Sequence, residues 1–398
     1  MQIKIGQILC PISMDRIVFL SIEPFNKTID QKYLIGSLGK RGFSVEYWNL
    51  ALLYGFPTYL STSDMVVEKQ VESFSDLKFL IRKENNKNTV FSFIFTYNSK
   101  YYSLIHNLKR FGFKTVFYAF GFDRVVNSKA IKTPLLQKMK KVNFQDVIFN
   151  RLTPYLAKSG YIKAFDFVFS PINQSAFRKL NRLLISKKTN FIRVNTPDYE
   201  LYRESLNIEV DDVNKAVVFI DQNLPFHPDS KIASFKTVNP EKYYFNLLEF
   251  FNKVNKCLSL KVVVAAHPTT DINKISEYLP GIDVVKGKTA DLVNNASCVI
   301  CHISNAICYP ICNNIPILFI ADEEVRRGMP SFYAKIKYQA DIIGCSFLDI
   351  SENIELKKEN ITRVDIKKYM DYKYCFYTTP QTEKISNIDI YTQAYQRM

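Results

Sequence analysis

Between residues 216 and 320 the chain repeats one pattern: a short apolar run, a few polar residues, then a helix-like stretch. The runs are AVVFID (216–221), KVVVAA (261–266), IDVV (282–285), SCVICH (297–302) and IPILFI (315–320). Nearly continuous apolar strands that alternate with helices must be buried on both faces, which means a parallel sheet covered on each side. The pattern also constrains function, because open parallel sheets bind ligands beyond the carboxyl ends of their strands. Three of the four histidines, His227, His267 and His302, stand at or just after such runs. Polar residues gathered at strand ends suggest a site for an anionic, phosphate-bearing ligand.

The first half of the chain carries the same alternation. Strands are expected at 16–23, 43–48, 89–97, 114–120, 165–170 and 190–195, and helices at 29–41, 75–84, 99–111, 133–158 and 174–185. In the second half helices fit 240–257, 271–278, 288–295, 304–313 and 322–340. The polar, acidic segment ESLNIEVDDVNK (204–215) is the best linker. A chain of 398 residues exceeds one hydrophobic core. The expected architecture is therefore α/β, with two doubly wound Rossmann-like domains, 1–208 and 209–360, facing across a cleft. A Tyr-rich helical tail, 361–398, is expected to pack back on the first domain. Clefts of this kind favour ligands.

Composition narrows the function classes. With 47% hydrophobic residues and only 12 Gly, the chain is neither disordered nor fibrous. The formal charge of +15 fits an anionic partner, and it also fits a general abundance of lysine. No dense basic helix, zinc-finger spacing or aromatic RNA-binding pattern is present, which argues against nucleic acid. No apolar stretch of about 18 residues marks a spanning helix. No signal-peptide core opens the sequence, so a cytoplasmic protein is expected. Its basic surface fits a peripheral contact with an anionic inner membrane. Cys298, Cys301, Cys308 and Cys312 tempt a zinc assignment, but Cys298 and Cys301 point to opposite sides of one strand. Reduced, buried thiols and no metal are the expectation.

Several residues could carry chemistry. Asp221 closes the strand AVVFI, where a carboxylate serves as base, nucleophile or charge stabiliser. His227 and Asp229 follow in a stiff polar loop and are weaker candidates. Pro268 biases His267 to extended geometry, so that its ring projects at the strand end to meet a phosphate or ribose. Lys288 and Thr289 precede a helix, with Thr289 as a plausible N-cap and the helix start as an anion site. His302, Ser304 and Asn305 form a second strand-to-helix turn of the same kind. Glu23, Asp123 and Asp198 are the acids near strand ends in the first half, where they could bind an acceptor or supply a base.

The blocks VEYWNL (45–50), PDYELY (197–202), FIDQNLPFHPD (219–229), VVVAAHP (262–268) and VKGKTADLV (285–293), with the His-x-Ser turn before IPILFI, resemble bacterial surface-polysaccharide glycosyltransferases of the GT-B fold. The His-Pro pair with a hydroxyl turn is similar to that of CMP-sugar enzymes, the sialyltransferases and Kdo transferases. The resemblance implies a CMP-activated Kdo or other nonulosonate donor, and a growing capsule, O-antigen or lipopolysaccharide acceptor that is an oligosaccharide or lipid-linked glycan. Stabilising a departing phosphate at helix N-termini needs no metal, and no DxD-type motif is placed for one, so no required cofactor is expected. By the resemblance, His267 and Pro268 would hold CMP, Ser304 its phosphate with His302 close by, and Asp221 would be the nucleophile or base; where the family turn has consecutive hydroxyls, Ile303 and Asn305 flank Ser304 here. Alternatives are a UDP- or GDP-sugar transferase or epimerase on the same fold, or a non-catalytic partner of a polysaccharide assembly complex.

Overall fold

A computed structural model describes residues 14–56, 66–95, 99–120, 152–153, 155–181, 183–206, 215–226, 238–352 and 355–398. Two compact units divide them. One holds the described residues up to 120, residues 152–197 and Thr378–Met398; the other holds Asp198–Tyr377. The helical tail is thus shared: the helix Ile366–Phe376 belongs to the second unit and the helix Asn387–Gln396 to the first. Residues 207–214 of the acidic segment lie outside the described residues.

The first unit contains a seven-stranded parallel sheet. Its strands are β1 (Arg16–Ser21), β2 (Ser44–Asn49), β3 (Val67–Gln70), β4 (Thr89–Phe93), β5 (Lys114–Tyr118), β6 (Phe167–Ser170) and β7 (Asn190–Arg193), in the order β3-β2-β1-β4-β5-β6-β7. Ile17, Val18, Phe19 and Leu20 are wholly buried, as an apolar run at the centre of a two-sided sheet must be. The C-terminal helix Asn387–Gln396 joins this core through Tyr391 and Tyr395. The Tyr395 hydroxyl lies 2.7 Å from Ser92 Oγ and 3.0 Å from the Tyr118 hydroxyl.

The second unit contains a six-stranded parallel sheet. Its strands are β8 (Ala216–Ile220), β9 (Val262–Ala266), β10 (Asp283–Lys286), β11 (Ala296–Cys301), β12 (Ile317–Ala321) and β13 (Ser346–Asp349), in the order β10-β9-β8-β11-β12-β13. In each sheet the chain winds outward from one central strand and then crosses to its other side. The reversals fall between β1 and β4, and between β8 and β11. Such switch points open a crevice at the strands' carboxyl ends.

Sequence expectation and structure differ in instructive places. The helix expected over 29–41 is two helices, Lys27–Tyr33 and Ile35–Lys40, separated by Leu34 at φ 57°. The helix expected over 322–340 is also two, Glu323–Gly328 and Pro330–Ile343, since Pro330 cannot continue the first. The segment expected as the helix 304–313 is a 3₁₀ turn, Asn305–Ile307, followed by the short helix Cys308–Cys312. The expected helix 133–158 falls mostly outside the described residues. No described helix is long and apolar enough to cross a membrane.

Candidate functional site

The polar residues of the second unit collect at the ends of β8, β9 and β11, around its switch point. Asp221 follows β8 directly and its backbone N–H donates to Ala265 O on β9 (3.0 Å). Only 3% of Asp221 is exposed. Its Oδ1 accepts the Asn223 N–H (2.8 Å) and its Oδ2 the Thr270 hydroxyl (3.0 Å), and the His267 N–H also bonds the carboxylate. Burial pushes its pKa up, against the pull of these three donors. A carboxylate so enclosed ties the loop after β8 to the loop after β9.

Asn223 sits at φ 53° and is itself buried, a strained conformation that asparagine tolerates best among non-glycine residues. It turns the chain so that the Phe226 N–H reaches Asn223 O (2.9 Å). Phe226 then lies under Lys274 Nζ, 3.6 Å from the ring centroid, and stacks with Tyr244 at 6.3 Å. Gln222, between the two, spans the switch point: its Oε1 accepts the Ile303 N–H after β11 at 3.1 Å.

His267 is half-buried at the end of β9. Its Nδ1 accepts the Thr269 N–H (3.3 Å) and lies 2.8 Å from Thr269 Oγ1. An accepting Nδ1 assigns the proton of the neutral ring to Nε2, which is then a donor. Pro268 and Thr269 are exposed, and Thr270 closes the turn by donating its N–H to His267 O (2.9 Å). Lys286 at the end of β10 reaches the same loop through Thr270 O (2.9 Å). Thr269, Thr270, Gln222 and Asn223 are the members that sequence reasoning passed over. The consecutive hydroxyls directly after His267-Pro268 were the available signal.

His302 behaves otherwise. Its ring has no exposed surface; Nδ1–H donates to Ile320 O (2.7 Å), and Nε2 accepts the Tyr243 hydroxyl (2.7 Å). Burial lowers its pKa to about 4, so it is neutral. Both nitrogens are spent inside the core, and the expected ligand contact from His302 is corrected to a structural role. Ser304 caps the turn after β11 as expected, its Oγ accepting the Ala306 N–H (3.1 Å), and Asn305 beside it is exposed.

Lys288, rather than Thr289, occupies the cap position of the helix Thr289–Asn294, without a side-chain cap bond, and Thr289 is its first helical residue. That turn follows β10 at the sheet edge. The order β10-β9-β8-β11 puts three strand spacings between it and the Ser304 turn. At roughly 4.8 Å each that is about 14 Å, too far for both turns to grip one phosphate. They neighbour each other in sequence only.

In the first unit a cavity of about 510 Å³ occupies the switch point between β1 and β4, lined by Ser21, Glu23, Asn26, Lys27, Lys32 and Ile94 among others. Exposed Glu23 is fixed through its backbone, its N–H donating to Ser21 Oγ (3.0 Å) and its carbonyl accepting the Tyr47 hydroxyl (2.7 Å). Asp198 stands in the first turn of the helix Pro197–Ser205. Asp123, His227 and Asp229 lie outside the described residues.

No known protein family and no curated protein matches the chain. Among solved structures, a histidine-to-asparagine variant of the wall teichoic acid polymerase TagF is similar over 96% of this chain and 88% of its own, with a TM-score of 0.52 at 13% identity. A UDP-GlcNAc 2-epimerase from Methanocaldococcus jannaschii is similar over 95% and 99%, with a TM-score of 0.47 at 12% identity. The two parallel, doubly wound sheets and the first of these likenesses give the chain the two-domain, Rossmann-like GT-B fold.

Proposed function

We propose that this protein is a glycosyltransferase that takes its sugar from a nucleotide-activated donor. The observation that carries the reading is the cluster at the β8–β11 switch point, where His267, Thr269, Gln222 and Ser304 surround the crevice that doubly wound sheets use for nucleotides. Donation from His267 Nε2–H and the Ser304 hydroxyl would stabilise the negative charge that grows on the departing phosphate, with Lys286 and Lys288 adding positive potential. Pro268 holds His267 extended for that contact. We assign Asp221 as a positioning residue, because a carboxylate this buried and this fully bonded fixes the His267 loop more readily than it attacks a sugar.

The cavity at the β1–β4 switch point then takes the acceptor, a hydroxyl-rich glycan for which Glu23, Asn26 and Lys27 offer hydrogen bonds. Glu23 is the base that removes the acceptor hydroxyl's proton. The finer proposal is a CMP-activated nonulosonate or Kdo-type donor and a surface-polysaccharide acceptor, supported by the sequence resemblance around His267-Pro268 and Ser304. TagF, a wall teichoic acid polymerase, fits the broader idea of a transferase that extends a cell-surface polymer.

Calorimetric titration with CMP, UDP and GDP tests the reading. Binding of CMP in preference to the others, weakened at least about tenfold in His267→Ala by loss of one charge-assisted hydrogen bond, is the expected result. Preference for UDP or GDP moves the donor class and keeps the transferase. Absence of binding to all three overturns the transferase. Glu23→Gln should keep nucleotide affinity and lose about 100- to 10,000-fold in turnover, the usual worth of a general base.

A further inference from the structure

The helices Phe74–Lys83 and Tyr102–Arg110 follow β3 and β4. Right-handed crossovers place both on one face of the first sheet. A groove of about 380 Å³ runs along them, with buried Leu77, Ile81 and Leu104 as its floor and exposed Lys78, Arg82 and Arg110 at its sides. No carboxylate lines it. Asp76 is taken up in the capping box with Ser73, and Glu84 by Arg16. Among the described residues the three cations have no acidic partner.

Aromatic side chains stand out from the same surface. Phe74 is 59% exposed, Phe79 59% and Phe111 37%, and Phe74 and Phe111 line the groove. Lys83 Nζ sits 4.1 Å from the Phe79 ring centroid. The helix Phe74–Lys83 therefore has an inner apolar stripe that builds the core and an outer face where Phe74 and Phe79 stand among Lys78, Arg82, Lys83 and the single acid Asp76. Aromatic rings among cations on an exposed helix are the composition of an interfacial helix, whose rings enter the headgroup layer while its cations meet anionic lipid.

We propose that this face of the first unit docks on an anionic lipid bilayer. An acidic protein is the rival partner, and two features favour lipid. The cations and rings spread over the outer helix surface beyond the groove, which suits a plane better than a single inserted segment. The cations Lys78, Arg82, Lys83 and Arg110 outnumber the exposed acids Glu72 and Asp76 beside the rings, so the net attraction is to an anionic surface. The inference does not depend on the transferase reading, and its test involves no turnover.

The test is sedimentation of the full chain with phosphatidylcholine vesicles with and without phosphatidylglycerol. The protein should partition onto the anionic vesicles and remain in solution with the neutral ones. Lys78→Gln/Arg82→Gln/Arg110→Gln should lower partitioning on the order of 100-fold, from the contribution of three cations at an anionic surface. Phe74→Ser/Phe79→Ser should lower it as well, with circular dichroism unchanged in both variants. Lys242→Gln/Lys253→Gln/Lys256→Gln, the same charge change on the second unit's helix Pro240–Leu258, should leave it nearly intact. Equal binding to neutral vesicles, no binding to anionic ones, or an equal loss in that control overturns the proposal.

Discussion

Acid charges most histidines near neutral pH, but His302 holds out. Its ring is enclosed between the Tyr243 hydroxyl and Ile320 O, each at 2.7 Å, and burial brings its pKa to about 4. An unfolded chain takes up the same proton near 6.5. Between those values the unfolded state binds more protons, so stability falls as pH falls through the window and is complete above 6.5. At 1.36 kcal/mol per pH unit the gap is worth about 3 kcal/mol. Asp221 and Asp322, buried carboxyls with raised pKa values, act in the opposite sense, gaining stability toward acid. His302→Gln isolates the histidine: the amide keeps one donor and one acceptor and does not titrate. Hydrogen exchange of the β11 and β12 amides, corrected for the intrinsic rate, reports opening of the second unit directly. The wild type should lose about 3 kcal/mol of opening free energy more than His302→Gln between pH 7 and 4. Equal slopes for the two would refute the buried neutral imidazole.

Other perturbations follow from the same geometry. Thr270→Val removes the hydroxyl given to Asp221 Oδ2 and should lower the second unit's stability by about 1.5–3 kcal/mol, read by urea titration. It should also weaken nucleotide binding, because the His267 loop loses a tether. Gly344, at φ 77°, leaves no room for a methyl group: the added Cβ would meet Lys368 Cδ at 2.6 Å and Asp365 Cβ at 3.0 Å. Gly344→Ala should therefore lower the melting temperature, with about 1–2 kcal/mol from backbone conformation alone.

The central strands were legible because burial on both faces writes an uninterrupted apolar run, as in RIVFLS and AVVFI. The edge strands β3 (VEKQ) and β13 (SFLD) were not read, since a half-exposed strand of four residues leaves no such run. The site was legible in part. His267 and His302 look alike in sequence, each ending an apolar strand. What separates them is sheet order: β9 lies toward the open edge, whereas β11 is central and the helix Pro240–Leu258 covers its end with Tyr243. Strand order is a long-range property that local pattern does not carry. The same holds for the turns at Lys288 and Ser304, consecutive along the chain and three spacings apart across the sheet.

The most direct measurement is hydrogen exchange of the protein with and without whichever of CMP, UDP or GDP binds best. Protection concentrated in 221–226, 267–270 and 302–306, the loops after β8, β9 and β11, is the expected result. Protection confined to other segments, with those three loops unchanged at saturating nucleotide, would contradict the placement of the donor site.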